Sequence, residues 1–183
     1  MRIVGGRFRG VRLKTPDDDR VRPTTDRVRE SLFNILAHRD PPALAGAVVL
    51  DLFAGTGALG LEALSRGAGR AVFVDQDARS LALVRENIAA CRAGDLCEAV
   101  RADSARLPAR ALGATLAFLD PPYGKSLTMP ALSSAAGGGW LAPGALVVIE
   151  VGAGEPDPLP EGFTLMDDRR YGGTQILIAQ YGP

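Results

Sequence analysis

The sequence predicts an α/β fold built on a doubly wound, mostly parallel sheet. From residue 48 onward, short apolar runs alternate with segments of helical periodicity, which is typical of strands joined by crossover helices. In addition, an aspartate lies at or just beyond the end of four predicted strands: Asp51, Asp75, Asp103 and Asp120. Because ligands of such sheets bind at the carboxyl ends of the strands, these side chains mark the expected functional edge.

The basic opening of the chain predicts a small β-hairpin, a loop and a helix. Two short runs within residues 2–14 flank a glycine-rich turn, which is typical of a hairpin. Residues 15–23 are polar and flanked by prolines, so they predict a loop. Apolar residues then recur at helical spacing over 28–36, where either Thr24 or Thr25 can serve as the N-cap.

The alternation that follows predicts five strands and three helices before a final hairpin. The strands are 48–52, 71–74, 98–101, 115–119 and 145–151, and the helices are 58–66, 78–91 and 130–136. Residues 163–166 and 175–180 face each other around a Tyr-Gly-Gly turn, which predicts an antiparallel hairpin. We expect a single domain over residues 1–183, with 1–40 as a lead-in and 41–183 as the catalytic core.

The net charge of the chain is zero, but the charge is divided unevenly along it. Residues 1–39 carry ten basic and five acidic side chains, a net charge of +5, and the remainder carries −5. Local positive charge is what phosphate contacts require, although a solvated surface without a ligand is the alternative. The predicted contacts to the phosphates of a nucleic acid are Arg7, Arg9, Arg12, Lys14, Arg22 and Lys125.

Composition argues against several other classes of protein. Two cysteines, Cys91 and Cys97, and one histidine, His38, are too few for a disulfide framework or a convincing zinc site. No apolar run approaches the roughly 20 residues of a membrane helix, and the first residues lack a signal-peptide core. We therefore expect a cytoplasmic monomer that uses neither metal nor membrane.

A glycine-rich turn marks a candidate cofactor site. The segment from Gly55 to Gly60 satisfies the G-x-G-x-x-G pattern, which alone leaves open an NAD site or a purely structural turn. Asp51 would face the pyrophosphate of a dinucleotide unfavourably, but it would attract a cationic amino-acid tail. S-adenosylmethionine has such a tail and no phosphate, so the pattern favours it as the cofactor.

Two further aspartates are candidate contacts to the nucleoside part of this cofactor. Asp75 can accept hydrogen bonds from ribose hydroxyls, although an NAD site would also use an acid there. Asp103 can accept from the adenine amino group, and a helix cap is the open alternative. The full set of predicted cofactor-binding residues is Thr25, Arg27, Asp51, Phe53, Ala54, Gly55, Thr56, Gly57, Asp75, Gln76, Asp103 and Ser104.

The segment Asp120-Pro121-Pro122-Tyr123, at the end of an apolar run, is the predicted catalytic site. The Asp120 carboxylate and the Pro121 carbonyl can accept the two hydrogens of an exocyclic base amine and so direct its lone pair. The prolines restrict the backbone, and Tyr123 can stack on a base that is turned out of a helix. An ordinary proline turn is the alternative. With the cofactor turn, the segment indicates methyl transfer to a nucleobase nitrogen.

The Arg-Pro-Thr-Thr-Asp-Arg sequence at 22–27 and the runs 2–6, 50–67 and 120–123 resemble the RsmD family, the bacterial 16S ribosomal RNA guanine-N2 methyltransferases. The resemblance covers nearly the whole chain, and its specific part is the sequence at 22–27. It implies a Rossmann-like class I methyltransferase fold, with a seven-stranded sheet whose last strand is antiparallel. It also implies S-adenosylmethionine as donor, and 16S rRNA or a small-subunit assembly particle as partner.

The same residues leave other functional hypotheses open at this point. A DNA or RNA methyltransferase acting on adenine N6 or cytosine N4 would share the motif, although DNA enzymes usually carry a recognition domain for which this chain has no room. A protein-glutamine methyltransferase usually has Asn where Asp120 stands. An NAD-linked oxidoreductase lacks an obvious hydride-relay residue here, and a non-catalytic RNA-binding module is the remaining alternative.

Overall fold

The computed structural model describes residues 1–16, 26–39, 43–154 and 158–182, which form a seven-stranded sheet flanked by helices. The strands are β1 (Val48–Leu52), β2 (Arg70–Asp75), β3 (Cys97–Arg101), β4 (Ala114–Leu119), β5 (Leu141–Gly152), β6 (Phe163–Tyr171) and β7 (Thr174–Tyr181). The helices are α1 (Asp26–Ala37), α2 (Ala58–Ser65), α3 (Ala78–Ala90) and α4 (Thr128–Gly137).

The strand order is β3-β2-β1-β4-β5-β7-β6. Strands β1 to β5 run parallel, whereas β7 is antiparallel to β5 and β6 is antiparallel to β7. The chain moves outward from β1 to β3 and then returns to the other side of β1 with β4. This reversal opens a crevice at the carboxyl ends of β1 and β4, where such sheets bind ligands. The predicted fold class, including the antiparallel C-terminal hairpin, is confirmed.

Two apolar layers cover the two faces of the sheet. On one face Phe33 of α1 packs near Phe118, with their ring centroids 5.6 Å apart, and α2 and α3 complete the layer. On the other face α4 and the buried Trp140 cover alternate residues of the same strands. Central strands buried on both faces read as continuous apolar runs, which explains why β1 and β4 were recognisable from sequence.

The structure corrects the predicted N-terminal hairpin. Residues 2 and 12 form a single antiparallel bridge, and Gly6–Phe8 form a 3₁₀ turn instead of a plain hairpin turn. The segment stays closed through backbone bonds such as that from the Ile3 N–H to the Val11 carbonyl, at 3.0 Å. The proposed N-cap threonines of α1, and most of the predicted loop before them, lie outside the described residues.

Strands β5 and β6 are also longer than predicted. The β6 sequence contains the run Asp-Asp-Arg-Arg at 167–170, which carries no strand pattern. This strand lies at the edge of the sheet, pairs on one side only and leaves most of these side chains exposed, so charges there cost little.

Buried polar side chains hold the N-terminal segment against the core. The Glu62 carboxylate of α2 accepts the N–H groups of Val4 at 2.8 Å and Gly5 at 2.9 Å, and it also pairs with the Arg66 guanidinium at 2.8 Å. Asn87 of α3 accepts the Lys14 N–H at 2.7 Å. These contacts dock the segment on the helices that follow β1 and β2.

These contacts bring the backbone of the N-terminal segment close to the backbone of α2. At Gly6, which has a φ of +74°, an added Cβ would stand 1.9 Å from the Ser65 carbonyl oxygen. The Ser65 hydroxyl in turn accepts the Phe8 N–H at 2.9 Å. Only glycine leaves room at this position.

We predict that Glu62→Ala lowers the free energy of unfolding by about 3–5 kcal/mol, because it removes the carboxylate 3.9 Å from the buried Arg29 guanidinium and the acceptor of two backbone N–H groups. Urea denaturation measures this loss. The matched control is Glu98→Ala, which removes a partly exposed ion pair with Arg110 and should cost less than about 1 kcal/mol. Equal losses for the two variants would contradict the docking role of Glu62.

Candidate active site

A cavity of about 560 Å³ lies at the carboxyl ends of β1, β2 and β4. It brings together most of the residues that the sequence predicted for the cofactor and all four predicted for the reaction. Those that line it are Asp51, Phe53, Ala54, Gly55, Thr56, Asp75, Gln76, Asp120, Pro121, Pro122 and Tyr123. The separate motifs of the sequence therefore form one site.

The glycine turn between β1 and α2 is held in an unusual backbone conformation. Phe53, Gly55 and Gly57 all have positive φ angles, of 60°, 55° and 76°. The Gly55 N–H donates to Asp75 Oδ2 at 3.0 Å, and the Ala54 N–H donates to the Val74 carbonyl at 3.0 Å. The turn is thus fixed to the end of β2, beside the cavity.

Gly60 lets α2 approach the end of β1. A Cβ at this position would stand 2.5 Å from the Phe73 ring and 3.1 Å from Asp51 Oδ2. Its N–H donates to the same Asp51 oxygen at 2.9 Å. The third glycine of the motif therefore permits the contact that orients the Asp51 carboxylate.

Asp51 is a buried carboxylate near the end of β1, only 3% exposed. Burial raises its pKa from 3.8 to about 7, the Gly60 hydrogen bond lowers it in part, and the charge of Asp75 raises it. A carboxylate in this state gains from a positive group placed beside it. Asp51 is therefore suited to bind a cationic group that enters the cavity.

Asp75 is oriented by two backbone donors, one in the glycine turn and one at the start of α3. Besides Gly55, the Asp77 N–H donates to it, to Oδ1 at 2.8 Å. Asp77 itself caps α3 by accepting the Arg79 N–H at 3.0 Å. Since a carboxylate can accept about four hydrogen bonds, Asp75 keeps capacity for hydroxyl donors.

Sequence reasoning did not select several residues that line the cavity. They are Met1, Pro16, Ala58, Leu59, Asp77 and Ser80. Asp77 and Ser80 could have been found, because they open the helix that follows β2 and the beginning of that helix faces the strand ends. Met1 and Pro16 carried no such signal, since only the docking of the N-terminal segment brings them to the cavity.

Other predicted cofactor residues lie elsewhere. Asp103 caps a 3₁₀ turn by accepting the Ala105 N–H at 2.9 Å, Ser104 is buried, and neither residue lines the cavity. Gly57 is the N-cap residue of α2 and does not line the cavity. Arg27 lines a separate cavity of about 250 Å³, and Thr25 lies outside the described residues. The adenine contact of Asp103 stays a prediction.

The Asp120-Pro121-Pro122-Tyr123 segment follows β4 directly. Burial raises the pKa of Asp120 well above its ordinary value, and the charges of Glu150 and Asp51 raise it further. The Tyr123 hydroxyl donates to Glu150 Oε1 at 3.0 Å, and its side chain is 45% exposed. The segment thus combines a desolvated carboxylate with an accessible aromatic ring.

The basic residues predicted to contact RNA are exposed wherever the structure describes them. Arg7, Arg9, Arg12 and Lys14 project from the N-terminal segment, and Lys125 lies in the loop just after Tyr123. Lys14 pairs with Glu86 at 2.5 Å, and the Arg7 guanidinium lies 4.7 Å from the Phe8 ring centroid. Arg9 borders the 250 Å³ cavity together with Arg2 and Arg27. Arg22 lies outside the described residues.

Neither a metal cluster nor a membrane span is found in the described part of the chain. Within it, no three His, Cys, Asp or Glu side chains come together in a way that could hold a metal ion. No helix there is long and apolar enough to cross a membrane.

Comparisons with known proteins place this chain in a family. The family model described as "Conserved hypothetical protein 95" matches residues 1–180. A protein of Escherichia coli K12 named ribosomal RNA small subunit methyltransferase D is 40% identical over 82% of this chain and 74% of its own length. The protein of the same name from Haemophilus influenzae is 33% identical over 98% and 93%.

Solved structures give the same result. The Escherichia coli protein yhhF superposes with a TM-score of 0.84 and 34% identity, covering 100% of this chain and 98% of that one. An RNA methyltransferase from Salinibacter ruber in complex with S-adenosyl-L-homocysteine shares the fold, with a TM-score of 0.66 at 18% identity over 87% and 94%. The chain therefore belongs to the ribosomal RNA small subunit methyltransferase D family, as its sequence motifs indicated.

Proposed function

We propose that this protein transfers a methyl group from S-adenosylmethionine to the exocyclic N2 amine of a guanine in 16S ribosomal RNA. One observation carries the proposal: a single cavity joins the glycine turn and Asp51 to the Asp120–Tyr123 segment. The names of the relatives support the class of reaction and of substrate. The substrate is 16S rRNA, free or in a small-subunit assembly particle, and the protein acts as a monomer.

The donor side of the cavity fits this cofactor. Asp51 supplies a buried acceptor for the cationic amino group, and Asp75 supplies an oriented carboxylate for ribose hydroxyls. Phe53 and Leu59 add apolar wall, and the whole cavity of about 560 Å³ can enclose a nucleoside with an amino-acid tail. The cofactor supplies an electrophilic methyl carbon on a sulfonium.

The acceptor side must make a weak nucleophile attack. The lone pair of an exocyclic base amine is delocalised into the ring, so the amine needs both alignment and acceptors for its hydrogens. Ionised Asp120 and the Pro121 carbonyl would accept these hydrogens, and Asp120 would stabilise the positive charge that develops on the nitrogen as the C–N bond forms and the methyl–sulfur bond breaks. S-adenosylhomocysteine is then the leaving group, and the methylated amine gives up one proton through Asp120 to solvent. Tyr123 stacks on the base, and its exposure gives an everted nucleotide access.

We predict that Asp120→Ala lowers methyl transfer by at least about 1,000-fold while S-adenosylmethionine affinity changes less than about threefold, because Asp120 aims the acceptor amine. The rate of methyl transfer is measured with labelled donor and small-subunit RNA or particles, and the methylated nucleoside is identified by mass spectrometry. In the wild type the rate falls as pH decreases through the raised pKa of Asp120, since a protonated carboxyl accepts poorly. Retained turnover in the variant would remove Asp120 from the reaction.

Asp51 should make the free protein less stable as pH rises. Its folded pKa of about 7 exceeds the ordinary 3.8, so the folded state binds the proton more tightly and stability falls between about pH 4 and pH 7. This difference in pKa between the folded and unfolded states corresponds to at most about 4 kcal/mol in the free energy of unfolding. We predict that the part of this decline due to Asp51 disappears in Asp51→Asn, which keeps the Gly60 acceptor, while the part due to Asp120 remains. We also predict that donor affinity falls at least tenfold.

Urea denaturation at several pH values measures the first effect, and calorimetric titration with S-adenosylmethionine measures the second. Ser80→Ala, another change in the cavity wall, is the control that should keep the pH dependence. A variant with wild-type donor affinity would show that Asp51 does not bind the amino group.

The N-terminal arginines should govern the salt dependence of RNA binding. We predict that replacing Arg7, Arg9 and Arg12 by Gln weakens binding and reduces the slope of log K against log salt by about 2, because each lost phosphate contact removes roughly 0.7. The matched control replaces three exposed arginines outside this segment: Arg85, Arg106 and Arg170. If both triple variants keep the wild-type slope, the segment is not the contact surface.

A further inference from the structure

A second, smaller cavity adjoins the first beyond the Asp120–Tyr123 segment. Its volume is about 170 Å³, which suits one base and not a whole cofactor. It shares Pro121, Pro122 and Tyr123 with the larger cavity, so the two spaces meet at the predicted reaction site. The remaining wall comes from the loop after Tyr123, the start of α4 and the end of β5.

Glu150 is the acidic residue in the wall of this small cavity. It belongs to β5 and is only 4% exposed. The parallel register pairs Leu119 of β4 with Ile149 of β5, so the next residues along each strand, Asp120 and Glu150, stand side by side. The charge of Glu150 is also felt at Asp120, where it raises the pKa.

Glu150 is held in an oriented position by a hydroxyl of the predicted reaction site. The Tyr123 hydroxyl donates to Oε1 at 3.0 Å, and a carboxylate can accept about four hydrogen bonds. Thr128, at the start of α4, adds a buried hydroxyl to the same wall, and its Oγ1 has no hydrogen-bond partner within the described residues. The wall therefore offers an oriented acceptor together with a hydroxyl that can donate.

The edge of guanine differs from those of the other amino bases in the number of its adjacent donors. Guanine presents the N2 amine beside an N1–H donor, with the O6 acceptor next to that. Adenine and cytosine present their amine beside a ring nitrogen that is an acceptor. A second carboxylate next to the amine-binding one attracts an N–H and repels a ring lone pair, so it fits guanine and disfavours the other two bases.

We propose that Glu150 determines the base specificity of this enzyme: it accepts the N1–H of a guanine seated in the small cavity, while Asp120 and the Pro121 carbonyl hold the N2 amine. This inference rests on the proposed function, since it assigns the acceptor base of that same site. Tyr123 then has two tasks, because its ring faces the base and its hydroxyl orients Glu150.

The test compares guanine with 2,6-diaminopurine at the methylated position, which is first located by mass spectrometry with wild-type protein. 2,6-Diaminopurine keeps the N2 amine but has an acceptor at N1. We expect wild type to prefer guanine by about 10- to 100-fold in kcat/KM, the range of one charge-assisted hydrogen bond. On guanine, kcat/KM of Glu150→Gln should fall by about the same factor. Its kcat/KM should be equal on the two bases or higher on 2,6-diaminopurine, because the Gln amide can donate to N1.

Two measurements separate this role from a structural one. Glu150→Gln keeps the acceptor for Tyr123, so its melting temperature and S-adenosylmethionine affinity should match those of wild type, and Glu98→Gln should keep the wild-type preference for guanine. If the wild-type protein makes no N2-methylguanine, that result overturns the proposed function and this inference with it. If the wild-type protein makes N2-methylguanine and Glu150→Gln is equally selective for guanine, the inference alone is overturned.

Discussion

Three carboxylates stand at the ends of adjacent parallel strands: Asp51 of β1, Asp120 after β4 and Glu150 of β5. Burial is the main reason why the pKa values of Asp51 and Asp120 are raised. Neighbouring carboxylates raise them further: Asp75 acts on Asp51, and Glu150 and Asp51 act on Asp120. Ionised carboxylates at such an edge of the sheet are unfavourable by themselves, and positive or hydrogen-donating ligands stabilise them. A cationic amino-acid tail and the donor edge of guanine are ligands of that kind.

The rest of the fold keeps this edge in place. Strand order creates the crevice, Gly60 lets α2 reach Asp51, and the Asp75 carboxylate fixes the glycine turn. Buried Glu62 and Asn87 then dock the basic N-terminal segment, so that Met1 and Pro16 complete the cavity wall. A few buried polar contacts thereby join the basic surface to the cavity.

Much of this was predictable where local pattern and tertiary role agree. The bounds of β1 match the prediction because a central parallel strand is a continuous apolar run, and the position of Asp120 at a strand end was predictable because its motif follows such a strand. The sequence did not predict the single bridge at the N-terminus or the extent of β6, since tertiary docking and edge position decide these.

Glu150 was missed for a related reason. It lies within the apolar run Val-Val-Ile-Glu-Val, and only the register of β5 against β4 reveals that it stands beside Asp120. A lone acid in a strand otherwise buried on both faces was nevertheless a usable signal. Asp103, by contrast, fitted the pattern of strand-end acids and yet caps a short turn, because β3 ends two residues before it.

The central claim is that one pocket holds the sulfonium donor and the acceptor base face to face, with the methyl carbon between the sulfur and the acceptor nitrogen. A crystal structure with bound S-adenosylmethionine tests it most directly. We predict its methyl carbon within about 6 Å of the Asp120 carboxylate, which is the space for one amine in line for attack. A donor bound outside the glycine-turn cavity, or with its methyl group directed away from Asp120, would contradict the claim.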